Sequence, residues 1–185
     1  FFDEDMQAKF QEVGIQVITL YDSTSFQGVY SAIETLGKVF NVEDKASDIT
    51  EEIKEQVSKV EERVKKEEKP RVYYVVGFGQ GGDYTATGDT FINEMITMAG
   101  GDNIAKDATG WAYSKETLIE RDPEVIILPE YFYEEFISSE GYKDLSAVKN
   151  NKVYTIDTNL LDRQGPRSGL GVMEIAKLLH PDLFK

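Results

Sequence analysis

Val72-Tyr73-Tyr74-Val75-Val76 follows Lys69-Pro70 after a single residue, Arg71. Five apolar or aromatic residues in a row, without polar alternation, read as a strand covered on both faces. That is the mark of a parallel strand lying between helical layers. Upstream of it, Val42, Ala46, Ile49, Ile53, Val57, Val60 and Val64 recur at spacings of four and three. This stripe predicts a single long helix over 42–69, about 40 Å in length at 1.5 Å per residue. Asn41 is the expected cap, with Asp44 in the first turn. Glu55–Lys59, Glu61–Lys65 and Glu62–Lys66 are expected i,i+4 pairs on the wet face. A charged, heptad-like stripe also suits a coiled coil, which leaves an interaction module open as an alternative.

Farther from the strand, the same two periodicities alternate. Residues 3–13 read as a helix, Ile15–Leu20 as a strand, and Asp22–Ser25 as a loop with capping oxygens. Val29, Ile33, Leu36 and Phe40 then follow helical spacing. Beyond Val76 come a Gly-rich loop, a helix near Asp89–Ala99 and a short helix at Glu116–Arg121. A strand at Val125–Leu128, a helical Tyr131–Ser138, a strand at Val153–Ile156 and a helix at Gly169–Leu179 complete the chain. Strands alternating with helices predict an α/β fold with a parallel sheet and right-handed crossovers.

Composition narrows the function. The chain has 185 residues, 41% of them hydrophobic, and a formal net charge of −14. That charge would repel a nucleic-acid backbone. There is no cysteine, so disulfides, thiolate catalysis and Cys-ligated metals are excluded. No apolar run approaches membrane-spanning length. The chain opens on Phe1 without a charged-then-apolar leader, which reads as a processed or trimmed product. His180 is the sole histidine and sits at a helix end beside Pro181, a packing position rather than a catalytic one. A Ser/His/Asp triad or a His-rich zinc site therefore has nothing to use.

Gly77-Phe78-Gly79-Gln80-Gly81-Gly82 fits the G-x-G-x-x-G pattern immediately after a strand. A nucleotide-dependent oxidoreductase is the alternative it raises. Against it, Asp83–Gly88 intervene before the next helix, whereas a dinucleotide loop opens directly into one. The loop reads better as part of the sheet's ligand-facing edge. Phe78 and Tyr84 follow the first strand of this half, Trp111 lies in the next long loop, Tyr131 and Tyr133 follow the second strand, and Asp162, Arg163 and Arg167 follow the third, so all are expected on one rim. Aromatics beside arginines suit a flat, partly anionic ligand through stacking, cation–π contact and bidentate pairing.

An ordered series of short motifs runs through the second half. It comprises Gly100-Gly101-Asp102-Asn103-Ile104, Trp111, Ser114-Lys115-Glu116, Asp122-Pro123-Glu124-Val125-Ile126-Ile127-Leu128, Ala147–Tyr154 and Gly165-Pro166-Arg167. In order and spacing it resembles the substrate-binding proteins of ABC importers for siderophores, haem and cobalamin. The resemblance implies two Rossmann-like lobes joined by one long helix, with the ligand in the cleft between them. Residues 1–41 would then be a remnant of the N-terminal lobe, 42–69 the inter-lobe helix and 70–185 the C-terminal lobe. The resemblance also implies roughly a hundred further residues in the N-terminal lobe, and that Glu116 docks on Arg pockets of the membrane permease. The expected function is a non-enzymatic, extracytoplasmic receptor, a periplasmic protein or surface lipoprotein. It would need no cofactor beyond iron or cobalt carried by its cargo. The apolar remnant around Phe1, Phe2 and Phe10 is expected to favour self-association.

Overall fold

The computed structural model describes residues 4–185, so the expectations placed on Phe1 and Phe2 lie outside the described residues. Helices α1 (Glu4–Glu12), α2 (Phe26–Phe40) and α3 (Glu43–Val64) come first. They are followed by β1 (Arg71–Gly77), β2 (Asp83–Thr85), α4 (Phe91–Met98), β3 (Asp102–Asn103) and β4 (Ala112–Tyr113). Then come α5 (Lys115–Arg121), β5 (Val125–Leu128), α6 (Tyr133–Ser138), α7 (Ser146–Lys149), β6 (Val153–Thr155) and α8 (Ser168–Leu179). None of the described helices is long and apolar enough to cross a membrane.

The sheet order is β4-β2-β1-β5-β6, with β3 also on β1. Its centre is parallel, as the buried strands predict: Val72 pairs with Val125, and Ile126 with Val153. One edge of β1 is shared. Arg71 and Val72 pair in parallel with β3, while Val75 and Gly77 pair antiparallel with β2. The β2–β4 ribbon is thus an antiparallel extension of a parallel sheet, and these short strands carry too little pattern to be read from sequence.

Side-chain alternation divides the core in two. Val72, Tyr74, Val125 and Ile127 face a cluster that includes Phe26, Ile53, Val60, Met95 and Ile175 from α2, α3, α4 and α8. Tyr73, Val75, Ile126 and Leu128 face Leu118, Phe136, Tyr142 and Ala147. The result is a three-layer α/β/α arrangement. Because α2 and the α3 stripe lie in the first cluster, the N-terminal segment and the sheet share one core.

Helix α3 is unbroken, but shorter than 42–69. It has 22 residues, about 33 Å. It stops at Val64, the last residue of the buried stripe, beyond which a further turn would have nothing to cover. Its N-cap is Val42, which makes no side-chain capping bond. Asn41 instead closes α2: at φ 54 it takes the left-handed conformation, and its N–H reaches the carbonyls of Gly37 and Lys38. Asparagine tolerates that conformation better than most residues. The stripe does not form a coiled coil, since it is spent on internal packing. Where α2 crosses α3, a Cβ at Gly37 would lie 2.5 Å from the Ala46 methyl. Of the expected ion pairs, Glu55–Lys59 closes at 3.3 Å.

Residues 15–20 are not a strand. A strand needs a ladder partner, and no described strand pairs with them. Ile15, Ile18 and Leu20 are exposed, as are Leu36, Phe40 and Val42 nearby.

At the far end of α3, Gly100 is required by close approach. Its φ is +80, and a Cβ would sit 2.8 Å from His180 Nε2 and 2.9 Å from Val64 Cβ. His180 is buried, with Nε2 3.2 Å from the Gly100 carbonyl, so its place is structural.

The Gly-rich loop is a hairpin turn. Gly79 and Gly82 have φ near +96 and +98, and the chain enters β2 rather than a helix. Buried Asp83 anchors it, accepting the Tyr142 hydroxyl (2.6 Å) and the Gly79 N–H (3.2 Å) on Oδ1. Because the loop continues into β2 and not into a helix, the nucleotide-site alternative lacks the helix N-terminus that would follow it and cradle a phosphate.

Candidate functional site

A cleft of about 480 Å³ opens where the loop before α2 meets the C-terminal edge of the sheet. Its walls are the 22–24 loop, Val76 at the end of β1, the start of α4, Trp111, and the 161–164 segment. This is the edge at which open α/β sheets bind ligands.

Trp111 is the most constrained residue there. It has φ +70, directly after Gly110 at φ +80. A bulky side chain in the left-handed region is rare and costs about 1–2 kcal/mol, so neighbouring bonds must hold it. Its N–H donates to Thr87 Oγ1 (3.2 Å), and its carbonyl accepts the Thr85 N–H (2.8 Å). The Gly110 N–H donates to both oxygens of Asp89 (3.1 and 3.3 Å). Thr87 donates its hydroxyl to the same carboxylate (2.6 Å). The braced loop presents the indole at 42% exposure. Strain of this kind concentrates at functional positions.

Three carboxylates line the cleft: Asp22, Asp89 and Asp162. The Thr87 hydroxyl, then the Gly110 N–H, hold the Asp89 carboxyl below its ordinary pKa against partial loss of water. Loss of water raises the Asp162 pKa, opposed by Thr158 and Arg163. No described group of three or more His, Asp or Glu side chains is placed to hold a metal ion.

The floor is tied across the two parts of the chain. Gln164 accepts the Ser23 N–H (2.9 Å) and donates to the Ser23 carbonyl (2.6 Å). The Phe26 N–H donates to Glu94 Oε2 (2.6 Å), and the Phe26 and Phe91 rings lie 4.8 Å apart. Burial raises the Glu94 pKa, the Phe26 amide opposes it and Glu61 adds to it. Ser25 caps α2 through the Gly28 N–H, as the Asp22–Ser25 oxygens predict.

Residues 1–160 match the model of a family described as periplasmic binding protein. The chain belongs to that family. Over 186 aligned positions it is 32% identical to YvrC of Bacillus subtilis, an uncharacterized ABC transporter substrate-binding lipoprotein, covering 98% of this chain and 59% of that one. It is 28% identical to the high-affinity heme uptake system protein IsdE of Staphylococcus aureus, over 83% of this chain and 56% of that one. Among solved structures it superposes on an ABC transporter substrate-binding protein from Listeria monocytogenes with a TM-score of 0.80 and 26% identity, covering 96% and 72% of the two chains. The chain therefore spans under three fifths of the length of the two curated relatives.

Within this periplasmic-binding-protein architecture, the expected rim residues do not gather in one place. Of Phe78, Tyr84, Trp111, Tyr131, Tyr133, Arg163 and Arg167, only Trp111 lines the cleft. Phe78 turns inward and meets Phe132, Phe136 and Tyr142 edge-on at 5.1 to 5.3 Å. Tyr84 is half-exposed on β2. Tyr131 lines a separate groove with Asp157, and Tyr133 another with Tyr154 and Leu178. Arg163 and Arg167 are exposed and outside the cleft's lining, and the Asp157 carboxyl is held low first by Asn159, with smaller electrostatic help from these two cations. The cleft instead uses Asp22, Asp89 and Gln164, which have no aromatic or motif signal. Asp89 had only the Gly88-Asp89-Thr90 turn before a helix to mark it.

Glu116 lies exposed in the first turn of α5. Ser114 caps the helix through the Thr117 N–H (3.1 Å) and donates its hydroxyl to Glu116 Oε2 (3.0 Å). The Glu116 N–H and then Ser114 lower the carboxyl's pKa, keeping it anionic at neutral pH.

Proposed function

We propose that this chain forms the ligand-capturing lobe and connecting helix of an extracytoplasmic solute receptor feeding an ABC importer. Its cargo is a chelated-iron complex or a metal macrocycle, a class that includes ferric siderophores, haem and cobalamin. Trp111 carries the reading: a strained, braced and half-exposed indole on the wall of the cleft, in a chain of this family. The indole offers a flat apolar face to the cargo. The unbroken α3, packed into the common core, allows only a small change of cleft aperture, since bending it would break its own hydrogen bonds. Glu116 supplies the charge that docks this lobe on the permease, where ion pairs mainly guide encounter and register.

Trp111 is the sole tryptophan, so its fluorescence reports the cleft directly. Titration with a ferric trihydroxamate, haem and cobalamin is expected to quench it with at least one of them. The same ligand should raise the melting temperature by mass action. NAD is expected to do neither. If no chelate or macrocycle changes fluorescence or melting, the receptor reading fails.

A further inference from the structure

We propose that Asp89 is a positioning residue for cargo capture, holding Trp111 in the turn conformation that sets its indole on the cleft wall; this rests on the reading of the cleft as the ligand site. The Ala112 N–H donates back to the Gly110 carbonyl (2.9 Å) across Trp111, whose φ is +70. That is a γ-turn of the rare positive-φ kind, strained for a residue with a side chain. Its mirror image, the inverse γ-turn, closes the same bond at negative φ and is the common form. The two differ in the side to which the Cβ points, so relaxation would carry the indole off its wall. For an L-residue the relaxed form is favoured by roughly tenfold. Bonds from outside the turn must oppose it.

Those bonds converge on Asp89. Its carboxylate accepts the Gly110 N–H on both oxygens (3.1 and 3.3 Å) and the Thr87 hydroxyl on Oδ1 (2.6 Å). With its proton committed in this way, Thr87 Oγ1 offers its lone pairs, and it accepts the Trp111 N–H (3.2 Å). The relay runs one way, amide to hydroxyl to carboxylate, because an ionised carboxylate can only accept. It fixes the peptide planes before Trp111, while the Thr85 N–H on the Trp111 carbonyl (2.8 Å) fixes the plane after it. The turn that carries Asp89 is itself anchored. A Cβ at Gly88 would lie 1.9 Å from the Lys106 carbonyl oxygen, and the Gly88 N–H donates to the Ala108 carbonyl (3.0 Å). Buried Asn103, the last polar residue of the Gly100-Gly101-Asp102-Asn103-Ile104 motif, donates to the Ala86 carbonyl (2.6 Å) and to Asn93 Oδ1 (2.9 Å). Asn93 in turn donates to the Gly88 carbonyl (3.2 Å). The brace thus has its footing in α4 and β3, and Asp89 is the link that reaches the loop of Trp111.

Two variants cut the relay in different ways. Asp89→Asn keeps the shape but sets an amide NH2 against either the Thr87 hydroxyl or the Gly110 N–H. Thr87→Val removes the middle link without changing the charge. Neither residue belongs to the apolar clusters, and both variants are expected to keep the wild-type circular dichroism. In each, the Gly110 and Trp111 amides should exchange roughly fivefold to tenfold faster, the weight of one lost hydrogen bond. The anisotropy of Trp111 fluorescence should fall. Haemin, cyanocobalamin and ferrichrome are the cargo probes, and any that quenches the wild-type indole should bind each variant roughly fivefold to tenfold more weakly. The loss should persist at about 0.5 M salt, because it is one of position and not of cleft charge. The double variant should be no worse than either single one, since both cut the same chain of bonds. Unchanged exchange and anisotropy in both variants overturn the inference and leave the receptor reading intact. A loosened indole with unchanged cargo affinity also overturns it, by reducing the brace to a structural role. Quenching of the wild-type protein by none of the probes overturns both.

Discussion

Single residues were legible where chemistry alone marked them, and illegible where direction mattered. Trp111 stood out as an indole among Gly, Ala and Thr, although only the backbone shows that φ +70 turns it towards the cleft. Phe78 stood out equally and points the other way, because the hairpin after β1 folds it back over Phe136 and Tyr142. Glu116 belongs to this scale. Ser114 caps α5 through its own oxygen, so Glu116→Ala should change stability by no more than about 0.5 kcal/mol, as for other exposed positions. The same variant should weaken docking on the permease severalfold. Binding of the wild-type and variant proteins to permease in nanodiscs, beside their urea midpoints, separates these effects. An unaltered docking affinity would remove Glu116 from the interface.

At the scale of elements, helical and strand periods located the parallel strands and the long helix, with errors of a few residues at the ends. The apolar stripe of α3 was legible because a helix that buries one face must repeat every three or four residues. Its end was not, because Lys65 to Lys69 are acceptable helix formers and only the loss of something to bury stops the helix at Val64. The 15–20 segment failed for the opposite reason. It has strand composition and no strand partner, and composition does not supply a ladder. Ile53 is 1% exposed on the packed face of α3, whereas Glu62 lies on the wet face. Ile53→Ala should cost about 2–5 kcal/mol through lost burial and the cavity left behind. Glu62→Ala should stay within about 0.5 kcal/mol. Urea denaturation followed by circular dichroism measures both, and similar midpoints for the two would contradict the packing described for this helix.

Across the whole molecule, the cleft depends on loops that are distant in sequence being held at fixed separation. Gln164 and Ser23, 141 residues apart, exchange two hydrogen bonds, and Glu94 receives the first amide of α2. Gln164→Ala removes the acceptor of the Ser23 amide. Its hydrogen exchange should accelerate roughly fivefold, the equivalent of one modest hydrogen bond. The amides in the middle of α2, such as that of Ile33, should keep their protection. Unchanged exchange at Ser23 would mean that the loop is held by other contacts.

The sequence by itself determined the layers: buried strands, an amphipathic rod and the motif order that points to the family are all local patterns, written in periodicity and composition. Tertiary structure alone decided which side chains share the cleft. Convergence there depends on strand order, on a hairpin that turns one aromatic inward, and on backbone bonds that hold Trp111 in a conformation its own chemistry disfavours. The charge of the cleft was likewise invisible in the chain, because a net excess of acid says nothing about where the arginines end up. Folding brought the carboxylates of Asp22, Asp89 and Asp162 to the cavity's lining, and neither Arg163 nor Arg167 is part of that lining.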